Sequence, residues 1–166
     1  RFKNGKIISS KIFDAIVFPQ KLTSFQIEKS NDYKYNLNET QKGAVDKIIS
    51  TPDIFVLQGP PGTGKTSTIA EVVYKVFTNN PESRILVTSH SHVAIDNALE
   101  KIVTTSGINK KYIARYGSKN VSEKISQFIK DEGIYKDAIL KDARIIGITT
   151  MSIAGMGYEL DRKSTR

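Results

Sequence analysis

Residues 54–77 read IFVLQ-GPPGTGKT-STIAEVVYKVF, and the fold is decided there. The middle piece, residues 59–66, fits G-x-x-x-x-G-K-[ST], a phosphate-binding loop. Residues 54–57 are apolar, β-branched or aromatic, the composition of a buried parallel strand. Beyond Thr66, the apolar residues Ile69, Val72, Val73 and Val76 recur at helical spacing. The order strand, glycine-rich turn, helix suits a nucleoside triphosphate, which is a dense anion. Gly59, Gly62 and Gly64 let the backbone curl so that successive N–H groups point inward; Pro60, Pro61 and Thr63 complete the loop. A helix starting near Lys65 adds unpaired N–H groups and the positive end of its dipole. Lys65 is expected to reach the β- and γ-phosphates, and Thr66 to place its hydroxyl on Mg²⁺, with Ser67 beside it at the nucleotide. The competing structural reading is a glycine-rich turn with no ligand.

Composition sets the frame. A chain of 166 residues has room for one domain with a core and a small appendage. Hydrophobic content is 39% and charged content 25%, ordinary for a globular protein. No apolar run approaches the roughly 18 residues of a membrane span, and no secretory signal is visible. There are no cysteines, which excludes a disulfide scaffold and a thiolate metal site. An intracellular nucleotide enzyme, cytoplasmic or nuclear, fits that composition. The formal net charge of +8 favours a polyanionic partner, although a basic, solvated surface would give the same number. The chain begins at Arg1 without a methionine and stops at Arg166 in a polar stretch, so we expect a fragment of something larger.

Around the loop, the chain alternates. Residues 1–36 carry apolar or alternating runs at 7–8, 12–18 and 22–27 and read as a short β-rich appendage. Lys29, Tyr33, Lys34 and Tyr35 could contact bases and phosphates, or form an amphipathic surface with half-buried tyrosines. Residues 38–50 read as a helix: Asn38 is a good N-cap, Gln41 sits at the capping-box position, and Ala44, Val45, Ile48 and Ile49 make one face. Residues 84–88 form a second strand, and a helix pattern follows Ser89-His90-Ser91-His92. The two histidines lie two apart, whereas a metal pair on a helix wants i, i+4. Ser91 and His92, with the helix N–H groups, can instead donate to a phosphate; Ser91 can also simply cap the helix. Residues 111–116 form a third strand, and helical spacing over 121–139 is divided by Gly133. Residues 144–148 form a fourth strand, and Thr149 and Thr150 stand at its C-terminal end, where ligands bind in open α/β sheets. The pattern predicts an α/β fold with a parallel sheet flanked by helices.

The ordered set of segments resembles the first RecA-like motor domain of a superfamily 1 (1B) DNA or RNA helicase, in the branch of the nonsense-mediated-decay RNA helicase and senataxin. Residues 37–41, LNETQ, resemble the Q motif, which implies that Gln41 reads the adenine edge of ATP. GPPGTGKT is the family's motif I wording. Residues 89–96, SHSHVAID, resemble motif Ia, usually close to APSNxAVD, which implies that Ser89 and its neighbours Ser91 and His92 hold a single strand. Residues 143–150, ARIIGITT, resemble motif Ic, which puts Thr149 at the nucleic-acid-contacting threonine, beside Thr150. Residues 115–118, RYGS, are like the family's R-[LIY]-G-S segment. The likeness covers roughly residues 37–157. It implies an incomplete P-loop NTPase domain over 37–166, with a short insertion near 107–141 and residues 1–36 as the tail of an accessory barrel or a stalk.

Two departures carry consequences. His90 and His92 replace the family's usual proline and asparagine. No apolar strand ending in Asp-Glu follows motif Ic; Glu159 and Asp161 lie in a polar stretch. The family's partner second motor domain, with its arginine fingers, is not represented either. The chain is therefore expected to bind nucleotide without turning it over efficiently by itself. Two other readings compete: a P-loop phosphotransferase such as a kinase, and a non-enzymatic P-loop scaffold that binds nucleic acid.

Overall fold

Asn38 caps the helix that follows it, as its side chain predicts. The structure, a computed structural model, describes residues 17–18, 22–116 and 143–153. Helix α1 spans Glu39–Ser50. The Gln41 N–H donates to Asn38 Oδ1 and the Asn38 N–H donates to Gln41 Oε1, each at 2.9 Å. This reciprocal capping box satisfies two donors that the helix cannot. Helix α2 spans Lys65–Asn79 and α3 spans His92–Ser106. Gly107, with a left-handed φ of 75°, ends α3.

The described residues also include three strands, β1 (Ile85–Ser89), β2 (Ile113–Tyr116) and β3 (Ile145–Thr149), with a 3-10 turn at Lys110–Tyr112 before β2 and helical residues 150–153 after β3. They form one parallel sheet in the order β1-β3-β2. A parallel strand of the same sheet cannot be reached by a tight turn, so the chain leaves β1 through α3 before entering β2, with β3 lying between the two. β3 is central and largely buried. Gly147 lets α3 lie close against it: a Cβ there would come within 2.6 Å of Leu99 Cδ1 and 2.8 Å of Ile95 Cγ2. Ile95, Leu99 and Ile102 of α3 meet Ile145 of β3, and Val45 and Val73 join the same core from α1 and α2.

The alternation of strands and helices is as expected, with strand ends displaced by one or two residues. Two expected strands are not formed. Residues 54–57 take no part in a sheet ladder, and Val56 is 82% exposed. Their apolar composition is right, but no described strand lies beside them, and a strand exists only through its partner. Residues 22–27 likewise form no strand, and Leu22, Phe25 and Ile27 stay exposed. Side chains take up backbone donors of this segment instead. The Thr23, Glu28 and Ser30 N–H groups donate to Asp53, Ser50 and Asp46 at 3.1, 3.0 and 3.3 Å. Glu71 of α2, fully buried, accepts from the N–H groups of Lys34 and Tyr35 at 3.2 and 2.8 Å. The expected run at 7–8, residues 12–16 of the run over 12–18, the expected helices over 121–139, and the polar stretch 158–166 lie outside the described residues; Val17 and Phe18, the described end of that run, are exposed and take no part in a strand.

Candidate functional site

The glycine-rich loop is shaped by backbone that other residues avoid. Gly62 and Gly64 have φ of 82° and 78°, the left-handed region that a Cβ disfavours. Gly64 is also the N-cap of α2, and a Cβ on it would lie 2.3 Å from Gln41 Nε2. The close approach comes with a hydrogen bond, since Gln41 Nε2 donates to the Thr63 carbonyl at 3.0 Å. One glutamine thus caps α1 and holds the loop that opens α2. Its amide retains one N–H and one lone pair for a further partner. The Thr63 hydroxyl donates to the Pro60 carbonyl at 2.8 Å, and a Cβ on Gly59 would sit 2.7 Å from that hydroxyl.

Lys65 turns back onto the loop. Its ammonium donates to the carbonyls of Gly59 and Pro60, the latter at 2.7 Å. A phosphate oxygen offers the same ammonium a charged acceptor, which is the stronger bond. Thr66 is exposed and Ser67 half-buried in the first turn of α2, while Pro61 lies exposed on the loop. These groups fit a polyphosphate: a cation, a hydroxyl and a helix N-terminus share one short turn. Among the described residues no three His, Cys, Asp or Glu side chains gather as a metal site. Thr66 can still contribute one oxygen to Mg²⁺, which takes most of its ligands from phosphates and water in such sites.

A second cluster lies at the C-terminal edge of the sheet. Ser89 and Thr149 are directly opposite each other at the ends of β1 and β3, so the two distant segments SHSHVAID and ARIIGITT meet there. The Ser91 N–H donates to Ser89 Oγ at 3.2 Å. Ser91 occupies the N-cap position of α3, but its side chain makes no cap hydrogen bond. His90, Ser91, His92 and Thr150 are exposed. Thr149 is 2% exposed, and its Oγ1 accepts from the Ser152 N–H at 3.2 Å and pairs with the Ser152 hydroxyl at 2.9 Å. At this corner Thr149 holds the turn, and Thr150 faces outward.

Sequence reasoning assigned no role to Asp96 or Arg115, although both stood inside quoted segments. The structure joins them: Arg115 Nε donates to Asp96 Oδ1 at 2.7 Å, and the Arg115 side chain is 0% exposed. A buried charge needs such a partner. The only sequence signal was an arginine in a strand of apolar neighbours, a position that demands a carboxylate nearby.

Comparison with known proteins agrees with this geometry. A family model described as an AAA domain matches residues 36–137. The chain is 39% identical over 103 residues to the DNA polymerase alpha-associated DNA helicase A of Saccharomyces cerevisiae, covering 57% of this chain and 15% of that protein. It is 34% identical over 153 residues to the RNA helicase Mov10l1 of Mus musculus, covering 85% of this chain and 13% of that one. The DNA replication ATP-dependent helicase/nuclease DNA2 of S. cerevisiae is 41% identical over 93 residues, covering 56% of this chain and 5% of its own length. The chain therefore spans at most 15% of these three relatives. The glycine-rich loop, the parallel sheet and the matched family model agree, and the chain belongs to the AAA domain family of the superfamily 1 helicases.

Proposed function

We propose that this chain is the ATP-binding portion of an ATP-dependent helicase that acts on single-stranded DNA or RNA. The observation that carries the reading is the loop at residues 59–66, placed at the head of α2 and held by Gln41, with a separate polar corner at the sheet's C-terminal edge. The names of the relatives, DNA and RNA helicases alike, support it.

In this reading the loop N–H groups and Lys65 bind the phosphates, and Thr66 orients the metal. Thr66 would hold Mg²⁺, which would supply neutralisation of phosphate charge. Gln41 lends its remaining amide capacity to the adenine edge. Ser89 and Thr149 shape the corner that holds the strand, while Ser91, His92 and Thr150 contact it. A carboxylate to orient water and an arginine to offset transition-state charge would come from elsewhere in a longer chain, including a second RecA-like domain. By itself this chain is expected to bind nucleotide and not to hydrolyse it efficiently.

Titration of the chain with a fluorescent ATP analogue and Mg²⁺ tests the binding half. Saturable binding that falls at least tenfold in Lys65→Ala supports the reading. Equal binding by wild type and Lys65→Ala would sink it.

A further inference from the structure

The imidazole at the start of α3 has two nitrogens in different situations. Arg115 Nη2 lies 2.8 Å from His92 Nδ1. The same guanidinium donates through Nε to Asp96 Oδ1 and through Nη1 to the Tyr116 carbonyl. His92 and Asp96 are four residues apart on α3, hence on one face, so a single planar fork can span both. A guanidinium only donates and keeps its proton. The His92 nitrogen facing it must therefore accept, which leaves Nδ1 with its lone pair and puts the ring hydrogen on Nε2. His92 is an exposed residue, whereas the arginine that faces it is buried. The Nε2–H is the ring's remaining donor, in the first turn of α3, where the N-cap Ser91 makes no side-chain cap hydrogen bond.

We propose that Arg115, held by Asp96, is a positioning residue that locks the tautomer of His92, making it an Nε2–H donor to a phosphate oxygen of single-stranded nucleic acid. The ligand in this proposal rests on the helicase reading above. The lock has a consequence for binding. A hydrogen-bond donor adds affinity without adding a released counterion, so His92 contributes nothing to the salt dependence. An ordinary phosphate-binding lysine would contribute to it.

The test combines ¹⁵N NMR of the histidine ring with oligonucleotide affinity, on the full chain. The ring signal that disappears in His92→Ala identifies His92. In the wild type it should show an unprotonated Nδ1 and a protonated Nε2; in Arg115→Lys, which keeps a buried cation for Asp96 but cannot span both partners, the two tautomers should mix. Single-strand affinity should fall about tenfold in His92→Ala, the worth of one charge-assisted hydrogen bond, at an unchanged salt slope. Arg115→Lys should lose a similar factor, lose nothing further in the His92→Ala background, and leave nucleotide binding at the loop intact. A hydrogen on Nδ1 in the wild type overturns the lock while leaving the helicase reading standing. So does an Arg115→Lys loss of equal size with and without His92. A wild-type chain that binds no oligonucleotide at all, with the ring as described, overturns the helicase reading and the proposed ligand together.

Discussion

Gly64 shows how much one position can be asked to do. It has a left-handed φ of 78°, starts α2, and lies under the Gln41 amide. Gly62 has a similar φ of 82° but no heavy atom within 4 Å of where a Cβ would stand. Alanine at either site incurs backbone strain of about 1–2 kcal/mol. Only Gly64→Ala also displaces Gln41 from the loop. We expect Gly64→Ala to lower the urea midpoint more than Gly62→Ala and to weaken nucleotide binding further, both measured on purified variants. Equal effects of the two substitutions would mean that the Gln41 contact does not hold the loop. The loop's glycines and Lys65 were legible in the sequence because one motif fixes their spacing. The Gln41–Thr63 contact was not, since it joins a cap in one element to a turn in another.

At the scale of elements, helices were more legible than strands. A helix carries its own hydrogen bonds, so Asn38, Gln41 and the apolar face of α1 were enough to place it. Strands depend on a neighbour. Residues 54–57 have strand composition and no strand partner among the described residues, whereas 145–149, also rich in isoleucine, lie between two partners. The meeting of Ser89 with Thr149 also needed the sheet order, which no local pattern carries. Helix α1 offers a clean check of its own local energetics. Gly43 lies in its interior with nothing within 4 Å of a Cβ. Gly43→Ala should stabilise the fold by about 0.5–1 kcal/mol in denaturant unfolding. A loss of stability there would show that α1 is placed differently against its neighbours.

For the molecule as a whole, two tyrosines tie the irregular segment before α1 to the helices. The Tyr33 hydroxyl donates to Asp46 Oδ1 at 2.8 Å, and burial, with that carboxylate, pushes its pKa up to about 12 from 10.0. Burial and the nearby Glu71 push Tyr35 up as well. A hydroxyl whose folded pKa exceeds its unfolded one adds its stability in full below pH 10; that contribution is lost as pH rises through about 12. Urea midpoints should therefore hold level approaching pH 10 and fall above it, and Tyr33→Phe should flatten the fall. An unchanged alkaline limb in Tyr33→Phe would remove this tyrosine as its cause. The net charge of +8 acts at the same scale, drawing a polyanion toward the molecule without choosing its sequence. The central claim, a nucleotide-driven motor that responds to a single strand, is tested most directly by ATP turnover in the full-length protein with and without a single-stranded oligonucleotide. Turnover should be stimulated by the oligonucleotide and abolished by Lys65→Ala. Turnover indifferent to the oligonucleotide, or surviving Lys65→Ala, would contradict the claim.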